Sequence, residues 1–245
     1  MRLAGMCRKF KPFIFGLTAL SVLIFSGCGG SSSGELIRFL ITIDNIGTTF
    51  PTSQGDAPVV WAPTAVAVHR RGLMPYFTTG GTASAGLEMA AEDGAGMALA
   101  DEANGSSGVR SSTLVAMPLG ETEAGPITPG KTYTIEVEAR QGEHLSFVSM
   151  FGQSNDWFMA PADGGIELFD NDGNPIVGDV TSQVVLWDAG TEVNEEPGVG
   201  PNQAPRQSAP NTGDDENGVV RTLNANDFPL PAIETMVQVT IEIVG

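Results

Sequence analysis

Apolar and polar positions alternate most cleanly over residues 131–139, where Tyr133, Ile135 and Val137 share one face. A period of two marks a strand, because successive side chains leave opposite sides of the pleat. Residues 37–43 (IRFLITI) alternate less regularly but are rich in β-branched and apolar types, as a first strand should be. The pattern predicts further strands over 144–150, 181–187 and 235–244, the last carrying Met236, Val237, Val239, Ile241 and Ile243. Residues 166–169 and 176–177 read as a hairpin, and the Asp172-Gly173 pair in its turn favours type I′ geometry. One short helix is expected over 85–93, with Ser84 able to cap its start and Gly94 to end it. Short strands separated by turns indicate an all-β chain folded as an antiparallel sandwich of about eight strands.

Two stretches fall outside this pattern. Residues 193–227 are dense in Asn, Pro, Gly, Asp and Glu with almost no large apolar residue, which reads as a long acidic surface loop. Loops of that length inside a domain are usually functional or disordered, and both readings stay open. At the other end, Arg2, Arg8, Lys9 and Lys11 precede an apolar run over 13–25 that is short for a membrane span. Small residues then lead to Cys28, and Phe25-Ser26-Gly27-Cys28 resembles a lipobox, with Phe25 where an aliphatic residue is usual. The expected organisation is therefore a lipoprotein signal peptide over 1–27, a lipidated Cys28 with a flexible Gly/Ser tether to residue 35, and one domain over 36–245. A plain secretory signal that contains a cysteine is the alternative. The position after Cys28 is Gly29 rather than an acid, which favours outer-membrane placement over inner-membrane retention.

Charge sharpens this picture. The whole chain carries 12 basic and 29 acidic residues. The four basic residues of the leader would leave with it, so the exported part holds 8 basic against 29 acidic residues, a net charge near −21. Such a field repels nucleic acid and anionic lipid headgroups, and it favours cations, basic partners or simple solvation. The chain has two cysteines, Cys7 and Cys28. One lies in the leader and the other would carry lipid, so disulfides and thiol chemistry drop out of the domain's function.

Catalytic patterns are sparse. His69 and His144 are the two histidines, and no Gly-x-Ser-x-Gly elbow occurs within the domain over 36–245. Two histidines without a usable thiol also make a poor zinc site. Oxygen donors for a hard cation such as calcium are better supplied. Three acidic clusters qualify: 154–158 (SNDWF), 187–192 (WDAGTE) and 170–173 (DNDG). The last lacks the third acidic position of an EF-hand loop, and its glycine comes too early, so it reads as a hairpin turn. Asp156 also suits a turn cap, and Asp188 with Glu192 a solvated loop end. Spacing alone leaves both readings open.

Taken together, these pieces resemble the spondin amino-terminal domain family, known from F-spondin and mindin and from bacterial lipoproteins. The likeness runs through Thr42-Ile43-Asp44-Asn45, residues 80–94 (GGTASAGLEMAAEDG), 145–150 (LSFVSM), the Asp-Trp-Phe loop at 156–158, the Asp-Ala-Gly-Thr-acid loop at 188–192, and a closing strand after Pro231. It covers roughly residues 36 to 245. The resemblance implies a C2-like β-sandwich with a calcium site at one edge, with Asp156, Asp188 and Glu192 as ligands. Glu192 departs from the animal proteins, which have Asp there, and their cysteines and thrombospondin repeats are missing. The resulting expectation is a calcium-braced, lipid-tethered adhesion or recognition module, not an enzyme, meeting a cell-surface or extracellular protein or glycan. The alternatives are an envelope lipoprotein with no specific ligand and a carboxylate-dependent hydrolase.

Overall fold

A computed structural model of the protein describes residues 34–162, 164–223 and 227–245. The expected leader 1–27, Cys28 and most of the expected tether lie outside the described residues. Glycine 34 through Gly245 form one unit. Its strands are β1 (Ile37–Asp44), the hairpin β2 (Thr49–Thr52) and β3 (Gly55–Pro58), and β4 (Thr64–Arg70). Two helices follow, α1 (Ala85–Glu92) and α2 (Met97–Asn104). Then come β5 (Val109–Val115), β6 (Thr132–Ala139), β7 (Glu143–Met150), β8 (Trp157–Pro161), β9 (Ile166–Glu167), β10 (Gly178–Asp179), β11 (Val184–Asp188), β12 (Arg221–Thr222) and β13 (Gln238–Ile243).

Apart from the separate two-stranded β2–β3 hairpin, these strands form two antiparallel sheets. One has four strands in the order β10-β13-β1-β6; the other runs β12-β11-β8-β7-β4-β5, with β9 pairing the first half of β7. Phe39, Ile41, Ile43, Val137, Val239 and Ile241 of the first sheet meet Val66, Val68, Leu145, Phe147, Trp157 and Met159 of the second. Burying a large apolar side chain contributes about 1.5–3 kcal/mol, so this interior is the main source of stability.

The all-β reading is borne out, and among the described residues the count is thirteen strands, several of two residues, and two α-helices rather than one. Burial on both faces explains most of the difference. β4, β7 and β8 have almost every residue buried, whereas β1 alternates. On the outer face of the larger sheet, Ala65, Ala67, Val148, Phe158 and Trp187 pack against Leu87, Ala90, Ala91, Leu99, Ala100 and Ala103 of the helix pair. A strand covered on both sides loses its polar beat, so β4 and β8 carry no alternation to detect. Helix α2 was hidden for another reason: eight residues between glycines, with no side-chain hydrogen bond at its N-cap.

Local chemistry at α1 follows the sequence closely. Ser84 Oγ accepts from Leu87 N at 3.2 Å, and the helix stops at Gly94, whose φ is +68°. Glu102 of α2 reaches back to the start of α1, accepting from Ser84 Oγ at 2.6 Å and Gly86 N at 2.8 Å. A carboxylate at a helix N-terminus satisfies otherwise orphaned N–H groups. The 170–174 turn differs from the type I′ expectation. Only Gly173 within it has positive φ, and Asp170 Oδ1 accepts from the backbone of Asp172 and Asn174. Residues 181–183 form a 3-10 turn, so β11 begins at Val184 instead of Thr181.

Candidate metal centre

Strand pairing brings two of the three expected carboxylates together. β8 and β11 are antiparallel neighbours, with Trp157 opposite Asp188 and Phe158 opposite Trp187. Asp156 immediately precedes β8 and Asp188 ends β11, so both sit at the same end of the larger sheet. Trp157 belongs to the inter-sheet core. Trp187 belongs to the outer layer, its ring 4.8 Å from that of Phe77. Two aromatic anchors of opposite direction fix the strand ends that carry the acids.

The loop after Asp188 then wraps around Asp156. Asp188 Oδ1 accepts from Gly190 N at 2.7 Å, closing a tight Asx turn. Gly190 has φ +68°, and a Cβ there would lie 2.6 Å from Val219 N, so both conformation and space demand glycine. Beyond it, Thr191 N at 2.8 Å, Glu192 N at 3.2 Å and Thr191 Oγ1 at 3.2 Å all donate to Asp156 Oδ2. Asp188, Gly190, Thr191 and Glu192 thus each have a structural reason.

The returning chain completes the group. Val193 N donates to Asp214 O, Glu216 N to Thr191 O, and Gly218 N to Gly190 O, lacing 214–218 against 190–193. This places Glu216 beside the two aspartates. Asp156, Asp188 and Glu216 each offer a carboxylate oxygen, and these oxygens lie within 4.8 Å of one another. Both aspartates are 0% exposed, while Glu216 faces solvent. Glu192 is not one of the three. Its Oε2 accepts from Asn155 Nδ2 at 3.1 Å and its Oε1 from Gly213 N at 2.9 Å, so it clamps the two loops around the centre.

Burial and mutual repulsion set the electrostatics of these carboxylates. Burial, reinforced by the charge of Asp188, pushes the Asp156 carboxyl up to about 7, against the pull of the Thr191 and Glu192 N–H groups. Burial and Asp188 likewise raise Glu216. Asp156 Oδ1 is buried and has no hydrogen-bond partner. An ionised oxygen left bare in the interior is costly, so this atom fits a position beside a cation. The donors around it are oxygens, which suits a hard divalent ion such as calcium and not zinc or copper.

The family comparison can now be set beside this geometry. The chain matches the family model described as Spondin_N over residues 43–210, more than half its length. It belongs to the spondin amino-terminal family. No curated protein matches the chain. The matched span contains Asp156, Asp188 and Glu192 of this spondin domain, while Glu216 lies beyond it.

The sequence motifs named Asp156 and Asp188, which the structure brings together, and did not single out two further acids nearby. Glu216 is one of six acids in residues 193–227, and no spacing distinguished it. Glu92, at the end of α1, is buried beside Thr191 and Glu192, and its carboxyl is pushed up to about 7, chiefly by burial. Helical periodicity did not mark it, because the residues three and four positions before it on that face, Met89 and Glu88, are not buried. The histidines lie elsewhere, opposite each other on β4 and β7. His69 Nε2 pairs with Ser146 Oγ at 2.8 Å and His69 Nδ1 with Arg70 O at 3.1 Å, inside the sheet.

Proposed function

We propose that this spondin domain is a calcium-braced recognition module, non-catalytic, exported and held at the bacterial surface through lipid on Cys28. The observation that carries the metal reading is the bare, buried Oδ1 of Asp156 between Asp188 and Glu216. Asp156, Asp188 and Glu216 would hold the ion, and its positive charge would offset their mutual repulsion. Glu192 and Asn155 keep the two loops in register, so the ion-binding geometry exists before the ion arrives. Preorganisation of this kind raises affinity because less ordering is lost on binding.

The recognition surface in this reading is built from the 189–220 segment, which the centre fastens to the sheet. That segment is ordered by polar contacts of its own. Arg206 Nε donates to Gly200 O at 2.9 Å and its Nη1 to Gln153 Oε1 at 3.1 Å, while Gln203 is fully buried. A rigid, acidic loop face with a divalent ion beneath it suits a basic or glycan-bearing extracellular partner.

Isothermal titration of the protein with calcium tests the reading. The expected result is one saturable site that disappears in Asp156→Ala and Asp188→Ala. An absence of heat with the wild type would remove the ion from the account. Lipidation is checked separately, by whether Cys28→Ser releases the protein from the membrane fraction.

A further inference from the structure

The centre already contains a cation. Arg221 opens β12, directly opposite Asp188 of β11 in the strand pair. Its Nη2 donates to Asp188 Oδ2 at 2.6 Å, on the carboxylate that the proposed ion would share. The same guanidinium forks onto Asp227, Nη1 to Oδ2 and Nη2 to Oδ1, both at 3.0 Å. Asn194 Nδ2 fills the remaining position on Asp188 Oδ2 at 2.8 Å. Arginine is suited to this place because its planar fork serves two carboxylates at once and never loses its charge.

We infer that Arg221 is a tethered counter-ion of the centre, holding Asp188 in place when no ion is bound and opposing the ion when one is. This rests on the calcium reading above and adds a residue to it that donates no electron pair. Two consequences follow from the geometry. In the ion-free protein Arg221 attracts Asp188 and, through space, Glu216, so the empty centre stays assembled. In the filled protein, the divalent ion and the guanidinium press on the same carboxylate from different sides. Arg221 therefore stabilises the empty form more than the filled one. By linkage, removing it must tighten ion binding and make the fold lean more heavily on the ion.

A structural ion pair would behave differently, since its loss lowers stability equally with and without the ion. Thermal unfolding and calcium titration of wild type, Arg221→Gln and Asp227→Asn separate the two. For Arg221→Gln the midpoint should fall several degrees in chelator and distinctly less in saturating calcium, with calcium Kd tightened about fivefold. For Asp227→Asn, which strips the guanidinium of its outer carboxylate but leaves its charge, Kd should weaken. Opposite signs from neighbouring residues are the signature of an electrostatic role. Equal midpoint losses in the two buffers, with Kd of Arg221→Gln unchanged or weaker, would overturn the inference. If Arg221→Gln folds only with calcium, that supports it outright; if it folds in neither buffer, Asp227→Asn decides, an unchanged Kd counting against. A wild type that binds no calcium removes the underlying reading, whereas a wild type that binds with Arg221→Gln indistinguishable removes only the role of Arg221.

Discussion

Between the sheets, β7 buries Leu145 and Phe147 among apolar neighbours from both sheets. Between Asp188 and Val220, the buried residues include Asp188, Ala189, Glu192, Gln203 and Val220, most of them polar. The first region is held by water leaving apolar surface, which needs no partner and little direction. The second is held by directional hydrogen bonds and by charge balance, which fail together when one member is wrong. The sandwich can therefore stand without an ion, while the rim that would meet a partner depends on its electrostatics.

The largest effect that sharpens this contrast comes from the core. Phe147→Ala, at a fully buried ring, should cost about 3–5 kcal/mol in urea unfolding. The loss should be the same in calcium and in chelator; a calcium-dependent loss would mean the two regions are not separable. Next is Gly190→Ala, where positive φ and the approach of Val219 combine. It should cost about 1–3 kcal/mol and weaken calcium binding, because the Asx turn carries Thr191 and Glu192 onto Asp156.

A sign reversal comes third. Asp156→Asn removes the buried charge but keeps the shape, so its midpoint in chelator should match or exceed wild type, while the calcium-induced rise disappears. A lower midpoint in chelator would show that the Asp156 charge stabilises the empty rim, against the contrast drawn here.

The pH dependence is smaller. Asp156 and Glu92 both have carboxyls raised to about 7 in the folded chain, so the folded state holds more protons than the unfolded state from about pH 4 up to about 7. Their contribution to stability in chelator is thus greatest below that window and is lost as pH rises through it. Calcium, by holding Asp156 ionised, should flatten the slope. Parallel slopes with and without calcium would break the link between the raised carboxyl and the ion. The smallest effect is at Glu196, an exposed acid that ties to Ser53. Glu196→Gln should leave both the midpoint and calcium binding unchanged.

How far the chain could be read in advance follows the same division. Alternation exposed β1 and β6, because one face of each meets the core and the other does not. It failed for β4 and β8, where the helix pair covers the second face and apolar residues occupy both parities. In the centre, the Asp-Trp-Phe and Asp-Ala-Gly-Thr-Glu motifs singled out Asp156 and Asp188, which the structure brings together, because each motif is a local turn. Glu192 sits inside the second motif, and its carboxylate nevertheless turns to Asn155 and Gly213.

The amino-acid pattern by itself determined an acidic all-β chain with two short motifs poised at strand ends, since strand period, turn chemistry and charge are local properties. Which acids share one space was decided by tertiary structure. Glu216 lies 60 positions from Asp156 in a stretch with no periodicity, and it arrives only because backbone hydrogen bonds lace 214–218 against 190–193. Arg221 arrives the same way, through the pairing of β12 with β11. Charges interact through space at a few ångströms, whatever their separation along the chain, so their grouping is a property of the fold.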